Sequence, residues 1–295
     1  IAKDLTKMSS KSAIKVLVPE EADSALFKWV ALLTGSKNAL KGGGFFLGGV
    51  LLTWFGFRGA LIAMALGLAA VLTVAVVALP RDMGCARVKV KFSRILSKTR
   101  EINLLSAARM FLFGSRDIWF VVGLPVFLSA SLGWSHTEVG GFLALWVIGY
   151  GGVQALAPGL LKGVLAGGTP RGGTATLGAI SLALLTALIA AGVSLGLPPW
   201  LTVVGGLALF GLVFAINSSV HSYLILAYTE SDQAALNVGF YYMANAMGRL
   251  VGTLLSGVVF QMGGLVSCLW VSAVFVAVAA LFSLGLPRGR VVGSS

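Results

Sequence analysis

Apolar runs long enough to cross a bilayer recur along this chain, and they limit its possible folds more than any other feature. A helix needs about 20 mostly apolar residues to span the hydrocarbon, and short polar stretches separate runs of that length here. Of the residues, 57% are hydrophobic and only 11% are charged, and the mean hydropathy is +0.94. A soluble domain carries about 25% charged residues. The pattern therefore predicts an all-α polytopic membrane protein.

Nine membrane-spanning helices are predicted if the lysine-rich residues 1–19 also cross the membrane. The other eight predicted spans are 26–55, 60–79, 102–132, 139–161, 174–196, 200–228, 237–262 and 265–286.

A basic stretch divides the predicted spans into two groups. Residues 81–101 carry seven basic residues against Asp82 and Glu101, so the positive-inside rule places this stretch in the cytoplasm. We expect a partial N-terminal bundle of three helices (1–80), a basic cytoplasmic linker (81–101) and a C-terminal six-helix bundle (102–295). Secondary transporters are commonly built from two six-helix halves. On that plan about nine of twelve helices are present, and the first three are missing.

The span 102–132 carries Arg109, Arg116 and Asp117 inside its apolar run. A charge in the hydrocarbon costs roughly 3 kcal/mol, so such residues usually face a cavity and function there. Arg109 and Arg116 lie about 20° from the same helical face, with about 10 Å between them along the axis. Guanidinium offers a planar set of donors that matches phosphate and carboxylate oxygens. Both arginines are therefore predicted to bind a small, multiply charged anion.

Further basic residues could extend this cationic lining. Lys3, Lys7, Lys11 and Lys15 recur every four residues and form a slanting stripe on a helix. That helix either lines the pore with its lysines or lies on the membrane interface. Lys37 and Lys41 share a face of the span 26–55, and Asn245 and Arg249 share a face of the span 237–262. All of these residues are candidate substrate ligands.

Two titratable residues are candidates for proton coupling. Asp117 lies beside Arg116 and is expected to pair with a cation. His221 lies one turn from Asn217; histidine titrates near neutral pH, but a hydrogen-bonded structural histidine is the alternative. Trp146, Tyr150 and Gln154 follow at four-residue steps, and this stripe either faces a cavity or packs through its aromatic rings.

Other classes of function find little support in the sequence. The two cysteines are far apart and form no CxxC pair, so we expect no metal site and no cofactor. A membrane enzyme acting on phosphorylated lipid would need a nucleophile, a metal or a paired acid and base, and carboxylates are scarce in the spans. A channel would need rings of like residues. Basic loops beside a membrane more commonly contact anionic lipid than nucleic acid. A transporter, with a small anion and membrane lipid as partners, is the favoured interpretation.

Four stretches carry a resemblance to a known family: IAKDLTKMSSKSAIK, LTGSKNALKGGGFFLGG, LSAARMFLFGSRDIWFVVGLPVFL and GGFLALWVIGYGGVQALAP. They resemble the ArsJ organoarsenical efflux permeases of the major facilitator superfamily, and the resemblance covers nearly the whole chain. It places Ile1 at the start of the family's fourth helix, which would leave helices one to three absent.

The resemblance implies a major facilitator-like helix bundle in the bacterial inner membrane. It implies export of 1-arseno-3-phosphoglycerate, which a glyceraldehyde-3-phosphate dehydrogenase makes from arsenate, so that the dehydrogenase is a functional partner. Extrusion followed by breakdown outside would give arsenate resistance. The alternative substrate is another phosphorylated or anionic metabolite. The resemblance contributes no binding residue, and the candidate residues above come from this sequence alone.

Overall fold

The computed structural model describes residue 14 and residues 23–78, 99–165, 168–230 and 233–288. These residues are almost entirely helical, and no strand occurs among them. The helices are α1 (Asp23–Ala78), α2 (Arg100–Phe120), α3 (Gly123–Ala130), α4 (His136–Val164), α5 (Gly172–Ser194), α6 (Gly206–Ala227) and α7 (Ala234–Leu284), with a π-helical turn (Trp200–Gly205) leading into α6.

Helices α1 and α7 each bend at glycine, so each contains two helical segments. Gly56 in α1 has φ 63°, and Gly264 in α7 has φ 63° beside the non-helical Gly263. Side chains with a Cβ disfavour that left-handed region, which is why glycine occupies both bends. The bends fall between the predicted spans 26–55 and 60–79, and between 237–262 and 265–286. Described helical segments therefore overlap each of the eight spans predicted beyond residue 25.

The predicted span 102–132 is interrupted, which the sequence prediction missed. Helix α2 ends at Phe120 and α3 begins at Gly123, with a turn at residues 121–122. Pro125 has no N–H to donate to the carbonyl of Val121, so the regular ladder fails at this point. Ser256 Oγ on α7 accepts from the N–H groups of Val122 and Gly123 at 3.1 Å and 3.3 Å. A side chain of the neighbouring helix α7 thus accepts hydrogen bonds from the backbone N–H groups at the break.

Two apolar clusters hold the bundle together. The larger one includes Trp119 on α2, Phe210 and Phe214 on α6, and Leu269 on α7, all of them fully buried. The ring of Trp119 meets that of Phe210 edge to face, with centroids 5.2 Å apart, a geometry that aromatic pairs prefer. The second cluster joins the start of α1 to α4, α6 and the beginning of α7. Helices α2 and α7 pack together extensively, as do α1 and α4.

Six described helices are long and apolar enough to cross a membrane. The second segment of α1, Trp54–Ala78, stands out because only 6% of its most apolar window is buried. The described part of the chain agrees with the predicted all-α, multi-pass membrane protein. The predicted span 1–19, apart from residue 14, and residues 81–98 of the predicted linker 81–101 lie outside the described residues, so the total of nine helices and the three-domain division stay predictions.

Candidate functional site

A cavity of about 110 Å³ opens between five helices at the level of the intramembrane charges. Its lining comprises five basic side chains, and none of the described residues around it is acidic. The basic residues are Lys37, Lys41, Arg109, Arg116 and Arg249. The remaining lining residues are Thr34, Asn38, Phe113, Tyr150, Ser218, Tyr242 and Asn245. The cavity therefore favours negatively charged ligands.

Arg109 is almost completely buried, with 4% of its surface exposed. Its Nε donates to Asn245 Oδ1 on α7 at 3.2 Å, and its Nη1 donates to the carbonyl and Oγ of Ser218 on α6 at 3.1 Å and 3.0 Å. The guanidinium carbon lies 3.8 Å from the centroid of the Phe113 ring. These partners, Asn245 and Ser218, are neutral, so the hydrogen bonds that Arg109 makes with described residues hold its guanidinium in place without neutralising its charge.

Asp117 lies behind the cavity wall and joins two of the arginines. Arg116 donates to Oδ1 through Nη2 and through Nε, the latter at 2.8 Å, and Arg249 Nε donates to Oδ2 at 2.8 Å. The carboxylate is buried, as expected for an intramembrane acid that pairs with a cation. The side chain of Arg249 is 43% exposed, and within the described part of the chain its Nη groups have no hydrogen-bond partner. Arg249 is therefore the guanidinium best placed to meet a ligand.

A close crossing of α2 and α7 brings Arg249 to Asp117. Gly248 and Gly252 flank Arg249 on α7 and face Gly114 on α2. A Cβ on Gly252 would lie 3.0 Å from Gly114 Cα and 3.1 Å from Asp117 Cβ, closer than side chains normally approach. This GxxxG spacing lets two membrane helices approach at backbone distance. The absence of side chains at these glycines thus allows the buried ion pairs to form.

A second close crossing, between α1 and α4, brings the lysines to the same cavity. A Cβ on Gly35 would lie 2.6 Å from Ala155 N, and one on Gly151 would lie 2.5 Å from Ala39 N. Lys37 and Lys41 follow Gly35 along α1 and line the same cavity as the arginines of α2 and α7. Gly43 and Gly44 face open space, so only part of the glycine-rich run serves helix packing.

The structure brings together most of the predicted ligands. Lys37, Lys41, Arg109, Arg116, Asn245 and Arg249 all line one cavity. Lys3, Lys7, Lys11 and Lys15 lie outside the described residues. Whether any of these side chains binds substrate stays a prediction.

The two candidates for proton coupling lie behind the cavity lining. Asp117 contacts two arginines that line it. His221 and Asn217 are buried on α6, where Asn217 packs against Gly178 of α5, and neither is among the lining residues. Asp117 is therefore the candidate in direct contact with cavity residues.

The stripe at Trp146, Tyr150 and Gln154 both packs through its aromatic rings and reaches the cavity. Trp146 and Tyr150 stack at 5.7 Å with an interplanar angle of 4°, and Trp146 donates to the carbonyl of Leu207 at 3.0 Å. Tyr150 also lines the cavity. Gln154 follows Tyr150 by one helical turn and is fully buried.

Sequence reasoning missed several neutral residues of the site, among them Asn38 and Ser218. Asn38 lies between the two lysines of α1, so it carried a signal. Ser218 carried none, because serine is common wherever membrane helices pack closely.

No group of three or more His, Cys, Asp or Glu side chains among the described residues is arranged to hold a metal ion. Comparison of the chain with models of known protein families gives no match, and comparison with curated proteins gives none either. The described helices and the residues that line the cavity therefore indicate a helical, multi-pass membrane protein with a cationic cavity between its helices.

Proposed function

We propose that this protein is a secondary active transporter that exports a small, multiply charged organic anion. Its proposed substrate is 1-arseno-3-phosphoglycerate, as the resemblance to the ArsJ permeases implies, and export would give arsenate resistance. Another phosphorylated or anionic metabolite is the alternative substrate. The proposed location is the bacterial inner membrane, and the proposed functional partner is the glyceraldehyde-3-phosphate dehydrogenase that makes the substrate.

The observation that carries the proposal is the charge of the cavity. Five basic residues line it, and Asp117 behind the wall pairs with two of them, so the described residues of the site carry a net positive charge. An anion with several negative charges would compensate it, and the arginine forks match the oxygens of phosphate and arsenate esters.

The form of the cavity favours binding over catalysis in this proposal. A membrane enzyme acting on phosphorylated lipid would need a free acid, base or nucleophile close to the bound ester. The described acidic group beside the site, Asp117, has both oxygens engaged by arginines. We propose that it instead exchanges partners as substrate enters and leaves, which makes it the candidate for proton coupling.

Export can be tested in an arsenate-sensitive strain that makes the dehydrogenase. Expression of the complete gene should restore growth on arsenate and lower cellular arsenic. Arg109→Lys should lower export about tenfold or more at equal expression, because one ammonium cannot reach both Asn245 and Ser218. The matched control is Arg58→Lys on the exposed face of α1.

Inside-out vesicles separate transport from the enzymatic alternative. Vesicles incubated with radiolabelled glyceraldehyde 3-phosphate, NAD⁺, arsenate and the dehydrogenase should accumulate the label, because the dehydrogenase oxidises the aldehyde and forms the arsenate ester outside the vesicles. Chemical conversion of a phosphorylated lipid without accumulation would support the enzyme instead. Full resistance with Arg109 and Arg116 both changed to Gln would rule out the arginine site.

A further inference from the structure

A continuous chain of side-chain hydrogen bonds crosses the bundle from α1 to α7. Asn38 Nδ2 on α1 donates to Gln154 Oε1 on α4 at 2.5 Å. Gln154 Nε2 donates to Ser218 Oγ on α6 at 3.0 Å. Ser218 Oγ also accepts from Arg109 Nη1 at 3.0 Å, and Arg109 Nε donates to Asn245 Oδ1 at 3.2 Å. One polar path therefore joins five helices through the cavity wall.

Gln154 is the middle residue of this path and is fixed through its backbone as well as its side chain. Its carbonyl would normally accept from the N–H four residues later, but that residue is Pro158, which has no N–H. Ser219 Oγ on α6 donates to the carbonyl instead, at 3.2 Å. Two consecutive serines of α6 thus hold Gln154, which is fully buried.

The hydrogen-bonded path through Gln154 lies where it can set the width of the cavity. Asn38 and Gln154 each follow, by three residues, one of the glycines at the α1–α4 crossing, Gly35 and Gly151. Lys37 and Lys41 on α1 form a lysine wall of the cavity, and Arg109, Arg116 and Arg249 on α2 and α7 form an arginine wall. The path through Gln154 connects the helix that carries the lysine wall to Arg109.

We propose that Gln154 is a positioning residue that fixes the separation of the lysine and arginine walls and thereby selects anions with a negative group at each end. This inference rests on the proposed transport of an organic anion. The two walls carry like charges and repel each other, more strongly in a low-dielectric interior than in water. A fixed link opposes that repulsion. A two-ended anion gains from both walls at once only when their separation matches its length.

The two side-chain hydrogen bonds of Gln154 also explain why a neutral amide is needed at position 154. Gln154 must accept from Asn38 and donate to Ser218 at the same time, and an amide can do both. A leucine of similar size would leave both neighbours without this partner in an interior where unpaired polar groups are costly. A carboxylate could accept from Asn38 but could not donate to Ser218 when ionised.

Binding of two matched anions to the purified, complete protein tests the inference. The probes are 3-phosphoglycerate, which has a phosphate and a carboxylate at opposite ends, and glycerol 3-phosphate, which has the same phosphate and no carboxylate. Affinities are measured by titration calorimetry in lipid nanodiscs. Wild-type protein should prefer 3-phosphoglycerate. Gln154→Leu should lower that preference about tenfold, equivalent to about 1.4 kcal/mol, while the affinity for glycerol 3-phosphate changes little.

Two further variants distinguish positioning from general damage. Asn38→Leu breaks the same path from the α1 side and should lower the preference in the same way, which keeps the test decisive if Gln154→Leu does not fold. The double variant Asn38→Gln with Gln154→Asn exchanges the two amides and should restore much of the preference. Ser36→Ala is the matched control, because Ser36 is exposed and its Oγ donates to the carbonyl of Leu33 in its own helix.

The possible outcomes separate the two proposals. A wild-type protein that binds neither anion would overturn the proposed function, and this inference with it. A wild-type protein that binds both anions equally would overturn the inference alone. Folded Gln154 and Asn38 variants that keep the wild-type preference would do the same. An equal loss of affinity for both probes would show that Gln154 has only a structural role.

Discussion

At the scale of single residues, Phe113 explains how two arginines share a small space. Its ring lies close to both of them, 3.8 Å from the guanidinium carbon of Arg109 and 5.1 Å from that of Arg116. The face of an aromatic ring carries partial negative charge and attracts cations. One ring therefore attracts two like charges at once.

Phe113→Leu should lower the stability of the protein by about 1–2 kcal/mol beyond the loss of apolar volume, because the ring's attraction for both cations disappears. Thermal unfolding in detergent measures the change. The control is Phe210→Leu, which removes a fully buried ring of α6. Equal melting temperatures for the two variants would show that the ring acts only as apolar volume.

Asp117→Asn should have a larger effect, since it leaves Arg116 and Arg249 without their common carboxylate. Removing one partner of a buried ion pair typically costs about 3–5 kcal/mol. Millimolar phosphate should recover part of the lost melting temperature, because an anion in the cavity can take over the two guanidiniums. Glu230→Gln removes an exposed carboxylate and serves as control. A variant that melts like wild type would mean that the carboxylate contributes no net stability.

Charged residues of the site could be found from the sequence, whereas their neutral partners largely could not. A charge in an apolar span is costly, so Arg109, Arg116 and Arg249 were conspicuous. The contacts of Ser218 with Gln154 and Arg109 are tertiary, and they depend on helix rotations that no local pattern encodes.

At the scale of helices, the α2–α7 crossing links packing to charge. Gly248 and Gly252 flank Arg249, so the segment that permits the closest approach also delivers the cation to Asp117. The ion pair depends on this close approach of the two backbones. If the helices lay further apart, Arg249 could not reach Asp117, and the buried carboxylate would keep Arg116 as its remaining partner among the described residues.

Gly252→Ala should destabilise the protein and loosen the site, because the new Cβ would lie 2.4 Å from the carbonyl oxygen of Gly114 and must push α7 away from α2. The Arg249–Asp117 contact would lengthen with it. Thermal unfolding and anion affinity should both decline. Gly257→Ala, on the same helix but facing open space, should cause neither change and can gain slightly from alanine's helix propensity. Equal behaviour of the two variants would contradict a close crossing.

The sequence predicted where helices lie better than where they bend or break. Long apolar runs placed the spans, and polar or glycine-containing breaks between them fell at Gly56 and at Gly263–Gly264. The interruption at residues 121–122 was missed although Pro125 was visible. A proline in a membrane helix is tolerated when neighbours satisfy the freed groups, and here Ser256 does so from another helix. That contact is not readable from sequence spacing.

At the scale of the whole molecule, charge lies inside and apolar surface outside. The five basic residues of the cavity are surrounded by helices whose outer faces carry large hydrophobic side chains such as Leu156, Leu188 and Leu254. This distribution is the reverse of that in a soluble protein and suits a bilayer as solvent. Apolar surface is most extensive on the second segment of α1, since nearly all of its side chains are exposed.

We therefore predict that the Trp54–Ala78 segment contacts lipid directly. Nitroxide labels at Leu68→Cys and Val76→Cys, introduced after replacement of Cys85 and Cys268, should be relaxed strongly by oxygen and weakly by a water-soluble nickel chelate, because oxygen concentrates in hydrocarbon. A label at Thr34→Cys, on the cavity wall, should show the opposite preference. Power-saturation measurements in lipid nanodiscs give both accessibilities. Strong relaxation by the nickel chelate at Leu68 would place this segment in water, and protection from both reagents would show that protein covers the face.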